Sequence, residues 1–369
     1  MKTDFLLFSI SLFFFLLGLL LKDVAPSVSL IIAFLKYIPL LVLYIKHLRK
    51  NFSSFIPLLF ALFLIALMVI GGQNYGISGL LVAIMVPVSL YVFNCITFTR
   101  KQIQILQWML LLTYLVYIAI SFYFRNTLNP NQVGFTFLIL SLDIFICAYT
   151  NNKRGKNNVF LLAFTLCTLL LILYTESRTS LLVFLMLPFA FIFRKKVTKT
   201  MLILWIILIL YLLYPFVYCL LAGDTALRAS QDTTLMNQNI FSGREIIWSY
   251  VITELMDPSP FWFGGINTEW WGKSMHNSAI DIIVRYGVPS LVVLFLTVSH
   301  YFKRISSLVN NEYKSLLLLV LVTMIWGTNE SGLFLGFSFF LFFPFCIIHS
   351  KNIPGRSKAL RPKSYSDNQ

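Results

Sequence analysis

Long apolar runs separated by short polar breaks fill most of this chain, at the length a helix needs to cross a bilayer. They fall near 5–21, 25–45, 54–71, 77–97, 104–123, 132–150, 158–175, 179–193, 200–222, 278–302, 315–328 and 332–349. Twelve runs predict about twelve transmembrane helices, with both termini on one side. The stretches at 179–193 and 315–328 are the shortest and depend most on flanking residues or a small tilt. The pattern breaks once, at 223–277, where a polar segment far longer than the other connections intervenes.

Composition agrees with this pattern. The chain is 58% hydrophobic and only 12% charged, with a mean hydropathy of +0.82. A soluble domain carries about 25% charged residues and has too little polar surface to hide so much Phe and Leu. The class is therefore an all-α polytopic membrane protein. The first run follows Lys2 but meets no small-residue cleavage site, so it reads as a retained helix. Cys95, Cys147, Cys167, Cys219 and Cys346 are scattered through the spans and read as packing residues, with neither a metal site nor a disulfide framework.

The net charge of +15 suggests nucleic acid until its distribution is read. Twenty-one of the 29 lysines and arginines lie at the N-terminus, in alternate connections and in the tail. By the positive-inside rule those segments and both termini are cytoplasmic, and the charge reports topology. No nucleic-acid partner is expected. The chain then divides into nine helices over 1–222, an extracytoplasmic segment at 223–277, three helices over 278–349 and a cytoplasmic tail at 350–369.

The long segment carries six carboxylates, the basic residues Arg228, Arg244 and Lys273, and a cluster of Trp262, Trp270 and Trp271. Its aromatics and lack of low complexity argue against disorder, and a connection of this length is usually functional. Ile246, Ile247, Tyr250, Val251 and Leu255 recur at helical spacing, and Ser242 with Glu245 forms a capping-box pattern. A short amphipathic helix along the outer surface is expected, broken at 257-DPSPFWFGGI-266 by two prolines and two glycines.

Ionisable groups near membrane depth are costly and point to function. Arg178 lies in the tight turn 174-YTESRTSLL-182 beside Glu176. Its guanidinium suits phosphate through paired N–H donors; an ion pair with Glu176 is the competing reading. Arg244 opens the loop helix, where a cation opposes the helix dipole and serves stability poorly. His276 closes the segment in the polar run Lys273, His276, Asn277, and imidazole exchanges protons near neutral pH. Asp281 and Arg285 are spaced i,i+4 and read as a self-neutralising pair. Asp143 and Lys36 lie deeper, with no partner assigned, and Glu330 in 326-WGTNESG-332 sits where it can line the same cavity. No glycine-rich phosphate loop, ATP motif or metal-ligand cluster occurs.

Three segments resemble those of the O-antigen ligase and Wzy-type polysaccharide polymerase superfamily. They are 176-ESRTSLL-182, 242-SGREIIWSYVITELMDPSPFWFGG-265 and 276-HNSAIDIIVRYGVPSLVVLF-295, in that order around the large loop. Together they span about 50 residues, and the topology matches throughout the chain. Two departures are the adjacent glycines of 264-GGINTEW-270 and Ser290 in place of a usual glycine.

The resemblance implies a GT-C-like membrane glycosyltransferase of the bacterial cytoplasmic membrane, acting on its outer face on undecaprenyl-diphosphate-linked oligosaccharide. It implies no cofactor and no metal. Arg178 and Arg244 would hold the diphosphate and His276 would accept the acceptor hydroxyl's proton, with Glu176, Asn277, Lys273, Arg285 and Glu330 as further substrate-binding candidates. The simplest chemistry is an inverting single displacement. Other implied partners are membrane lipid and a protein that sets chain length. These motifs do not separate polymerase from ligase; the wider occurrence of the polymerase favours that role for a capsule, O-antigen or exopolysaccharide. A flippase or transporter is the rival class, against which stands the lack of an internal repeat.

Overall fold

A computed structural model describes residues 2–21, 25–48, 52–71, 77–125, 127–151, 158–193, 199–223, 234–235, 238–239, 244–268, 270, 275–309, 313, 316–328, 330, 333 and 338–350. The described chain is helical. In order come α1 (Lys2–Leu21), α2 (Pro26–Leu35), α3 (Tyr37–Lys46), α4 (Phe52–Gly71), α5 (Ile77–Cys95), α6 (Arg100–Tyr123), α7 (Pro130–Asn151), α8 (Asn158–Tyr174), α9 (Arg178–Phe193) and α10 (Thr200–Gly223). After the long connection follow α11 (Arg244–Glu254), α12 (Pro258–Phe263), α13 (Ser278–Leu308), α14 (Leu317–Met324), a 3-10 turn (Ile325–Thr328) and α15 (Ser338–Ser350). The connection holds a two-residue antiparallel ladder, β1 (Thr234–Leu235) and β2 (Gln238–Asn239), pairing Thr234 with Asn239.

Six of these helices, α1, α4, α6, α7, α10 and α13, are long and apolar enough to cross a membrane. Each remaining expected span holds shorter apolar helix. α7 is the axis of the bundle, with 89% of its most apolar stretch buried, and is packed by α6, α8, α9 and α15. Around it, α1, α4, α6 and α10 leave large apolar side chains outward, among them Val69, Leu112 and Leu220. So much exposed apolar surface requires a non-aqueous cover.

Two expected spans are interrupted. The run at 25–45 splits at Lys36 because Pro39 has no N–H for the Leu35 carbonyl and its ring crowds that oxygen. The Lys36 carbonyl takes the Ser11 hydroxyl at 2.7 Å, and its ammonium lies 4.8 Å and 4.9 Å from the Phe15 and Tyr37 ring centres. Asp143, the other deep ionisable residue, is fully buried in α7, and both its oxygens lack a hydrogen-bond partner among the described residues.

The second break positions the site. α13 leaves helical geometry at Gly287 (φ 79°, ψ 168°), two residues before Pro289. The Val284 carbonyl loses its partner in the helix and instead accepts the N–H groups of Gly265 and Ile266 at 2.8 and 3.1 Å. A Cβ on Gly264 would stand 2.6 Å from the Arg285 carbonyl, and one on Gly287 2.4 Å from the Trp262 carbonyl. The two glycines thus let the end of the long connection dock backbone to backbone on the broken helix. α12 is a helix where only a break was expected: Asp257 accepts from the Ser259 N–H at 3.2 Å, and Pro258 opens the helix with the fixed φ that a first turn tolerates. Lys273, Ser242 and the tail beyond 350 lie outside the described residues.

Gly287→Val places a branched side chain at positive φ against the Trp262 carbonyl. It should cost about 2 kcal/mol or more, read as a lower Tm in detergent and faster proteolysis between residues 255 and 275. Gly18→Ala, whose methyl would meet Ile32 at 3.3 Å, should be much milder.

Candidate active site

α11 carries one of the two arginines on its buried side. Arg244, Ile247, Trp248 and Val251 follow i, i+3, i+4, i+7 spacing and are the buried residues of that helix. The expected stripe included Ile246, which is exposed instead, because Trp248 supplies the anchor. Trp248 packs edge-on against Tyr218 at 5.0 Å and Tyr214 at 5.7 Å, both from α10. Its indole N–H donates to the Met275 carbonyl at 2.7 Å. One side chain therefore ties α11, α10 and the residue before His276 together.

His276 adopts φ +53°, a left-handed conformation rare outside glycine. Its neighbours hold it there. Asn277 is fully buried and caps α13, accepting from the Ala279 and Ile280 N–H groups at 2.8 and 3.0 Å. Its amide nitrogen donates to the Tyr211 and Thr328 carbonyls at 3.2 and 2.9 Å. Both acceptor and donor capacity are used within the protein, so Asn277 positions the site and has no face left for substrate. Ser278 donates to the Glu330 carbonyl at 2.8 Å and accepts from the Leu333 N–H at 3.1 Å, fastening the segment after the 3-10 turn to the start of α13.

Glu330 is the meeting point. Its side chain is 5% exposed, and Oε2 lies 3.3 Å from His276 Nδ1. Oε1 accepts from Arg244 Nη2 at 3.2 Å and from Asn131 Nδ2 at 2.7 Å. Asn131 Oδ1 in turn accepts the Ser177 hydroxyl at 3.3 Å. Ser177 immediately precedes Arg178, so the chain Ser177–Asn131–Glu330 brings the Arg178 turn, Arg244 and His276 to one end of the bundle. The turn is pressed close because Gly134 faces it: a Cβ there would meet Ser177 Cβ at 2.4 Å.

Arg178 is partly exposed and is the first residue of α9, as Arg244 is of α11. Two guanidiniums therefore stand at two helix N-termini, where the helix dipole already favours an anion. Glu176 pairs with Arg125 at 3.7 Å, both half-exposed, and Arg125 also lies over the Tyr174 ring at 4.5 Å. Glu176 itself takes φ +58°, which makes the tight turn. Arg285 donates to Asp281 at 3.1 Å, the expected i,i+4 pair, below the cluster.

Asn131 is the member that the sequence reading passed over. Its signal was the polar run 129-NPNQ-132 at the mouth of an apolar span: Asn129 accepts from the Asn131 N–H at 3.0 Å and Pro130 opens α7. Among the described residues there is no cluster of three or more His, Cys, Asp or Glu side chains that could hold a metal ion.

Asn277→Ala removes the α13 cap and both hydrogen bonds to the Tyr211 and Thr328 carbonyls, a loss of about 3 kcal/mol. Thermal unfolding in detergent should show it, and Asn277→Asp, which keeps the cap but not the donor, should fall between. The chain matches no protein-family model, no curated protein and no solved structure.

Proposed function

We propose that the protein is a membrane glycosyltransferase that polymerises a bacterial surface polysaccharide from lipid-diphosphate-linked repeat units. The observation that carries this reading is the convergence of Arg244, His276 and the Arg178 turn on Glu330 and Asn131, from segments up to 199 residues apart. The apolar helices and the asymmetry of basic residues support a twelve-span, GT-C-like arrangement in the cytoplasmic membrane, termini inside and the site at the outer face.

In this reading the diphosphate of the donor lies across the helix N-termini that carry Arg178 and Arg244, with its lipid in the bilayer. The acceptor hydroxyl attacks the anomeric carbon from the opposite face. The new carbon–oxygen bond forms as the bond to phosphate breaks, and the lipid diphosphate leaves with the electron pair. The arginines stabilise the charge that grows on the leaving oxygen, and their fixed positions need no reorganisation as it grows. His276 takes the hydroxyl proton. The diphosphate–lipid bond supplies the driving force, and no nucleotide is consumed.

His276→Ala should accumulate normally in the membrane yet leave cells with single repeat units on lipid and no polymer, read by gel and lipid analysis. Polymer of normal length would refute the base assignment. Arg244→Lys keeps the charge but loses the planar fork; its rate should fall on the order of 100-fold, and wild-type turnover would refute the diphosphate role.

A further inference from the structure

We propose that Glu330 is a positioning residue that fixes His276 in the tautomer with the proton on Nδ1, leaving the Nε2 lone pair to act as the base. The assignment rests on the reading of His276 as proton acceptor. The donors around Glu330 dictate it. A guanidinium can only donate, so Oε1 must accept from Arg244 at 3.2 Å. Asn131 Nδ2 is a second donor to the same oxygen at 2.7 Å, its amide orientation set by the carboxylate, which can only accept. With Oε1 accepting from these two donors, Oε2 faces His276 Nδ1 at 3.3 Å as an acceptor, and a neutral imidazole satisfies it only with N–H at that position.

Backbone and packing hold the ring to this choice. The left-handed φ of His276 is enforced on one side by Trp248 through Met275 and on the other by the fully engaged Asn277. The Glu330 main chain is itself fastened to α13 through Ser278. During transfer the acceptor's proton passes to Nε2, the imidazole becomes a cation, and its Nδ1–H is already directed at a carboxylate that balances the charge. Glu330 touches neither sugar nor diphosphate in this scheme, which separates it from the substrate-binding role its position in the sequence suggested.

The test is nitrogen NMR of 15N-histidine-labelled full-length protein in nanodiscs. The chain has four histidines, so the His276 signals are those lost in His276→Gln. The wild type should show a protonated Nδ1 and an unprotonated Nε2 for neutral His276. Glu330→Ala should move the proton to Nε2, and Glu330→Gln, which keeps the shape, should give a mixture. Where those variants do not fold, the wild-type spectrum still decides, since a proton on Nε2 overturns the proposal. In turnover, Glu330→Gln should lower kcat about 100-fold with an unchanged KM for the lipid donor. A raised KM at unchanged kcat would overturn the positioning role and make Glu330 a substrate ligand. The spectrum needs no substrate: an active wild type with the wrong tautomer overturns this inference alone, and an inactive wild type with the Nδ1 proton overturns the proposed transferase alone.

Discussion

A buried carboxylate is costly unless its charge is balanced and its lone pairs are used. Glu330 meets that requirement with Arg244, His276 and Asn131, and the architecture around it follows from the need to bring those three together. α7 presents Asn131 from its first turn. α11 turns Arg244 inward on the same stripe as Trp248. The cap on α13 holds His276 at an unfavourable backbone angle. Loss of Arg244 would leave the carboxylate's charge unbalanced, and loss of Asn131 or His276 would leave it short of a donor, so the cluster acts as the joint between the membrane helices and the long connection.

A second joint lies at the break in α13. Membrane helices keep their backbone groups satisfied internally, and a break is tolerated where other protein groups take the freed positions. Gly287 and Pro289 open the ladder, and Gly264, Gly265 and Ile266 close it from the connection. Gly264 and Gly287 thus have a local physical reason: a side chain at either would collide with the opposite backbone. The His276 segment is held from both ends, by Trp248 on the approach and by the docked turn nine residues into α13.

The apolar helices were legible because hydropathy over about twenty residues averages away local detail, and each expected stretch holds helix. Charge spacing also served for Asp281 and Arg285, since i,i+4 contacts are local. What escaped was non-local or depended on one proline. The split at Lys36 and the start of α12 turn on Pro39 and Pro258, which punctuate helices in opposite ways according to position. The face of α11 shifted from Ile246 to Trp248 because tyrosines of α10 decide what an indole packs against. Asn131 gave only a weak cue, as its value comes from Glu330, 199 residues away. Arg178, Arg244 and His276 were recognisable as chemically capable, but no spacing rule could say that one carboxylate would join them.

This convergence gives the proposed transferase a definite physical form: an anion site made from two arginines at helix N-termini, next to a histidine whose ring is oriented by a buried acid. The most direct measurement is turnover by the purified protein in nanodiscs, supplied with lipid-diphosphate-linked repeat units from its own host and no nucleotide. The account predicts products longer than one repeat, with one lipid diphosphate released per linkage formed. Intact single repeats after prolonged incubation with folded protein, or their movement across the bilayer without elongation, would contradict it.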